Sequence, residues 1–151
     1  MTATPRQIAP SGSRCSDEVA FLMLSTREIV SNWPRIATML APALNDPQRY
    51  TIRDLFDRAM LGRVQLWVAA SELRGVLAAF ATDVLEYPRS RTLRIFLGAG
   101  TDHRAWSDKI RVLEEYARSR NCQHVEIQGR RGWERVFPDY EHRYVVLARE
   151  V

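Results

Sequence analysis

Cysteine is scarce in this chain: Cys15 and Cys122 are the only two in 151 residues. So widely separated, they make a poor disulfide framework and cannot build a cysteine-rich zinc site. Histidine is nearly as sparse, and His124 and His142 show no ligand spacing with Cys122 or with carboxylates, so no metal is expected. Long apolar runs are missing too. The longest, near 76–81, falls far short of the roughly 20 residues that span a bilayer. The opening MTATPRQIAPSGSRCSDE lacks the apolar stretch of a secretory signal. A soluble, cytoplasmic protein with no membrane partner is the expectation. Lysine is almost absent, Lys109 being the only one among 22 basic residues. Arginine grips phosphate with a planar fork, which leaves a phosphate-bearing ligand open, although a GC-rich genome produces the same bias. The sequence also has no Gly-x-Ser-x-Gly elbow and no Walker-type loop, so it carries neither a hydrolase nor a nucleotidase signature.

What is present describes one ordinary globular domain, 46% hydrophobic and 26% charged, with a formal charge of +4. A chain of this length buries about 68–70% of its unfolded surface, enough for a core without disulfides or metal. Residues 1–17 mix Pro, Ser, Thr and Gly without periodicity and read as an N-terminal arm. Residues 18–151 read as a single domain.

Hydrophobic periodicity divides that domain. Residues 18–24 (EVAFLML) predict a buried strand. Ser25-Thr26-Arg27-Glu28 has the form of a capping box and opens a helix, in which Pro34 predicts either a kink or a fresh start. Thr51-Ile52-Arg53-Asp54 caps a second helix, with Gly62 at its end. Strands follow at 65–70, 75–87 and 91–97, joined by short turns into an antiparallel meander. Gly98-Ala99-Gly100-Thr101-Asp102 is expected to break the last of them. Trp106, Ile110, Leu113 and Ala117 mark the next helix, 124–128 a short strand, 129–136 a short helix or loop, and 144–148 (YVVLA) a final strand.

The informative unit is strand, glycine-rich turn, helix and strand, from Arg94 to Gln128. A glycine-containing turn at a helix start presents backbone N–H groups and the positive end of the helix dipole, which suits a phosphate or pyrophosphate. By itself a Gly-x-Gly is a weak signal, because such glycines more often just make a turn.

On this element order the chain resembles the GNAT N-acyltransferase fold over about 130 residues. Several stretches look like small GNAT-like proteins encoded by tailed bacteriophages: WPRIATMLAPAL from Trp33, LFDRAMLGRVQLWVA from Leu55, LGAG at Leu97, WSDKIRVLEEYARSRNC from Trp106 and GRRGWERVFPDY from Gly129. The resemblance implies an α/β (α+β) fold, with a mixed, mostly antiparallel sheet of about six strands and helices on both faces. It also implies acetyl-CoA or another acyl-CoA lying between two diverging parallel strands. Leu97, Gly98, Ala99, Gly100 and Thr101 would then grip the pyrophosphate. The family's loop runs Arg or Gln, two residues, Gly, any residue, then Gly or Ala. Here Arg94 stands one residue too far from Gly98, and Arg104 is the substitute positive charge. Where the family places a tyrosine that protonates the departing thiolate, the sequence has Phe137, which leaves Tyr140 as the nearest hydroxyl.

Transfer to an amine also needs a proton acceptor. Glu126, which alternates with Val125 and Ile127, and Asp83 and Glu86, late in the long strand, are the carboxylates in place; each also reads as a solvated side chain. His103 is a base or phosphate contact beside the turn, or simply solvated. Arg130, Arg131 and Arg135 surround Trp133, a pattern shared by nucleic-acid surfaces and by a helix start whose tryptophan is tucked into the core. Two functions therefore compete. One is an N-acyltransferase with a degenerate cofactor loop, acting on a small amine, a protein N-terminus or a lysine. The other is a non-catalytic GNAT-fold virion or assembly protein, using its arm and arginine-rich surface on phage structural proteins or on itself. Nucleic-acid binding is a distant third.

Overall fold

The computed structural model describes residues 16–47 and 49–151. The expected arm lies outside the described residues except for Ser16 and Asp17. These two are tied to the turn after the second strand, through Leu73 N–H to the Ser16 carbonyl and Arg74 Nε to Asp17.

Five strands form one sheet in sequence order: β1 (Ala20–Met23), β2 (Gln65–Ser71), β3 (Gly75–Tyr87), β4 (Ser90–Gly100) and β5 (His124–Ile127). The first four pair antiparallel, and β5 runs parallel to β4. Helices α1 (Thr26–Leu40) and α2 (Ile52–Met60) cover one face, where Ile36, Leu40 and Leu55 are fully buried against Val68, Ala79 and Ala81. Helix α3 (Arg111–Ser119) covers the other, with Leu113 and Ala117 packed on Phe80, Leu93 and Ile95. The central strands are buried on both faces, which is why β2 and β3 read as nearly continuous apolar runs.

Local signals set most boundaries. The Ser25 hydroxyl accepts from the Glu28 N–H at 3.2 Å while the Glu28 carboxylate accepts from the Ser25 N–H. Thr51 and Asp54 repeat the arrangement at α2. Helix α1 continues through Pro34 as one element. Val30, whose carbonyl would have bonded to residue 34, is an exposed residue on the outer side of the helix.

Three expectations need correction. Strand β4 does not stop at Leu97: Gly98, Ala99 and Gly100 pair with Phe80, Ala79 and Ala78. The next segment is two short 3₁₀ turns, His103–Ala105 and Ser107–Ile110, so the regular helix starts only at Arg111. Residues 144–148 form no strand; 141–151 lack regular structure and are exposed. The short helix expected within 129–136 is α4 (Trp133–Val136).

Candidate functional site

Strands β4 and β5 are paired from Thr92 and His124 to Ile95 and Ile127. Beyond that point β4 continues to Gly100 while β5 ends, so the two diverge. A bulge marks the same place: Ala81 faces Leu97 and Thr82 faces Ile95, leaving Phe96 without a partner on β3. The bulge absorbs the extra residue between Arg94 and Gly98 and reverses the alternation. Leu93 and Ile95 join the α3 core, whereas Leu97 joins the α1–α2 core.

The space between the diverging strands is filled. Trp133 of α4 lies in it, its ring stacked on Phe137 (centroids 5.7 Å apart, planes 11° apart) and tilted against Phe80 and Trp106 at 6.2 and 6.4 Å. Gly129 makes room for this indole, and Gly98 makes room for the Phe80 ring beside it. A Cβ on Gly129 would stand 2.8 Å from Trp133 Cδ1, and one on Gly98 would stand 2.7 Å from Phe80 Cδ1 and 3.5 Å from Trp133 Cζ2. What remains, lined by Gly98, Ile127, Trp133 and Phe137, is a cavity of about 10 Å³, room for one water at most. An acyl-pantetheine arm does not fit there.

The glycines expected in a turn at Leu97–Thr101 lie in the sheet instead. Gly98, Ala99 and Gly100 serve strand pairing, and the Thr101 N–H donates to the Leu77 carbonyl at 2.9 Å. The Leu97 side chain is buried in the core. The actual connection from β4 to α3, residues 101–110, contains no glycine. Its interior is occupied by Trp106, 1% exposed, whose indole N–H donates to the Thr101 carbonyl at 3.0 Å. Arg104 and His103 are exposed on this turn. The residues present do not fit coenzyme A.

The three candidates for proton transfer are not gathered at one point. Strand register puts Asp83, Arg94 and Glu126 in one row across β3, β4 and β5. Asp83 is 7% exposed and held by a bidentate pair, Arg94 Nε to Oδ1 at 2.9 Å and Nη2 to Oδ2 at 2.5 Å. That hydrogen bonding raises the Arg94 guanidinium above its ordinary range. Both carboxylate oxygens are thereby occupied by the guanidinium. Glu126 accepts from the Tyr144 hydroxyl at 3.1 Å. Tyr140 belongs to the opposite, α3 face, packing on Phe137 and donating to Glu114 at 3.5 Å. Burial, and then the Glu114 charge, push its hydroxyl well above the usual tyrosine range. Alternation along β5 explains the separation, since Val125 and Ile127 point into the α3 core and Glu126 away from it. Glu86 is exposed beside Arg91. Among the described residues, no three His, Cys, Asp or Glu side chains gather as a metal site, and no helix is long and apolar enough to cross a membrane.

Sequence reasoning expected Trp133 either in the core or at a surface, not as the group that closes the cleft. The spacing of Gly98, Gly129 and Trp133 carries that signal only once the fold brings the three together.

No protein-family model and no curated protein matches the sequence. Solved structures do match in shape. A GNAT family acetyltransferase from Staphylococcus aureus superposes with a TM-score of 0.61 at 10% identity, covering 89% of this chain and 99% of that one. A ribosomal-protein-alanine N-acetyltransferase from Brucella melitensis gives 0.64 at 16% identity, covering 88% and 99%. An aminoglycoside acetyltransferase from an uncultured soil metagenomic sample gives 0.63 at 13% identity, covering 89% and 97%. At such identities the likeness establishes the fold, and the fold is that of the GNAT acetyltransferases.

Proposed function

We propose that this protein is a non-catalytic member of the GNAT fold that works by protein–protein contact. The observation that carries the reading is the indole of Trp133 in the divergence of β4 and β5, where only about 10 Å³ is left. The glycine-free turn at 101–110 supports it, as does the dispersal of Asp83, Glu126 and Tyr140 over two faces. The stretches similar to small phage-encoded GNAT-like proteins favour a role in a virus particle or its assembly, in the host cytoplasm or the virion, with the arm at 1–17 and the arginine-rich surface as contacts.

An acyl-CoA-dependent N-acyltransferase is the second reading, favoured by the shared fold and by the bulge at Phe96 beside the cleft. It requires Trp133 to leave. Thermal unfolding with near-millimolar acetyl-CoA separates the two, because a ligand that binds the native state raises its apparent stability. No shift is expected for the natural protein. A saturable rise in Tm for the natural protein would overturn the non-catalytic reading.

A further inference from the structure

The outer edge of β5 is unfinished. Among the described residues the strand pairs only with β4, so the backbone groups on its other side have no strand partner there. An open edge of this kind is a template for another strand. Opposite it lies the segment that the sequence marks as a strand and the fold leaves unpaired. Tyr144, Val145, Val146 and Leu147 are 54, 68, 67 and 91% exposed. Such a β-branched, apolar run is unusual on a surface. Among the described residues no backbone hydrogen bond ties 141–151 to the sheet. The two are joined instead through side-chain tips, the Tyr144 hydroxyl meeting the Glu126 carboxylate at 3.1 Å. Two extended side chains meeting end to end hold the backbones further apart than one strand spacing of about 4.8 Å.

Both contribute to the lining of a trough of about 1400 Å³, Val125, Glu126 and Ile127 from β5 and Tyr144, Val145 and Val146 from the unpaired segment. Four arginines and five carboxylates line it, so its charge is close to balanced and recommends neither a polyanion nor an acidic peptide. An uncharged extended strand suits it. Each chain offers one such strand and one such slot, and a two-fold axis satisfies both at once.

We propose that residues 144–148 of one copy enter the trough beside β5 of a second copy, and reciprocally. The order across the junction is then β5, the partner's 144–148, the first copy's 144–148, and the partner's β5. The two segments run antiparallel about the axis and join the sheets into one. This edge is separate from the plugged cleft, so assembly and acetyl-CoA binding are read independently: a monomer that ignores acetyl-CoA refutes only the dimer, and a dimer that binds it refutes only the non-catalytic reading.

The test is sedimentation of the full chain across the micromolar range, with amide exchange on the same samples. A dimer with protected amides at 144–148 is expected. Val146→Pro removes a backbone donor at an exposed position. It should weaken the dimer at least tenfold while leaving the helical circular dichroism and the monomer's unfolding unchanged. A monomer throughout the range overturns the proposal, whether its 144–148 amides are protected, meaning the segment closes on its own edge, or unprotected. So does a Val146→Pro protein that dimerises as tightly as the natural one.

Discussion

Glycine in this protein is chiefly a matter of space. Gly100 lies within β4, and a Cβ there would stand 2.4 Å from Ala78 Cβ and 2.7 Å from the Leu77 carbonyl oxygen. Neither contact can yield, because one is a short side chain and the other is backbone in the same sheet. Gly100→Ala should destabilise the fold by about 1–3 kcal/mol, the usual penalty of overpacking, read from a urea melt. A glycine kept for ligand approach at an open turn would show no such loss. Gly129 is small for a different neighbour, the Trp133 ring, and Gly98 for Phe80, with Trp133 in ordinary contact beside it.

Helix entry is the clearest case at the scale of elements. Helix α1 begins with reciprocal bonds between Ser25 and Glu28, both at 3.2 Å, and its buried face carries Ile29, Ile36 and Leu40. Ser25→Ala removes the acceptor for an otherwise unmatched N–H. It should lower unfolding free energy by about 1 kcal/mol in chemical denaturation, with Ser25→Thr close to the natural protein. A larger loss would mean that Ser25 supports more than its own helix. The strand row Asp83–Arg94–Glu126 shows an element doing two jobs. Its Asp83–Arg94 pair joins β3 to β4 through side chains, and in doing so engages the carboxylate that had been a candidate base.

At the scale of the whole molecule, two cores meet across one sheet, and unfolding should be cooperative. The hydroxyl of Tyr140 then couples global stability to pH. Its pKa in the folded protein is raised, by burial first and by Glu114 second, whereas in the unfolded chain it is ordinary, about 10. The folded state thus keeps a proton that the unfolded state releases. Its contribution is complete below about pH 10 and is lost as the pH rises beyond that, with a slope under about 1.4 kcal/mol per pH unit because the ring is not fully buried. Tyr140→Phe should flatten this alkaline limb in denaturation curves taken at successive pH values. An unchanged limb would place the titration elsewhere.

Much of the architecture was legible in the residues. Capping boxes at Ser25 and Thr51, the meander from Gln65 to Leu97 and the apolar spacing of α3 are local or short-range signals, and the fold obeys them. Local patterns failed where a partner distant in sequence decides. Gly98-Ala99-Gly100 looks like a turn, yet β3 stands ready to pair with it, so it continues β4. YVVLA looks like a strand, but among the described residues no neighbouring edge is hydrogen-bonded to its backbone. The sequence by itself determined which segments bury an apolar face and where helices begin, because both depend on neighbours a few residues away. Only the tertiary structure decided that the cleft is shut, since an indole from α4 meets glycines from β4 and from the end of β5 nowhere but in the folded chain.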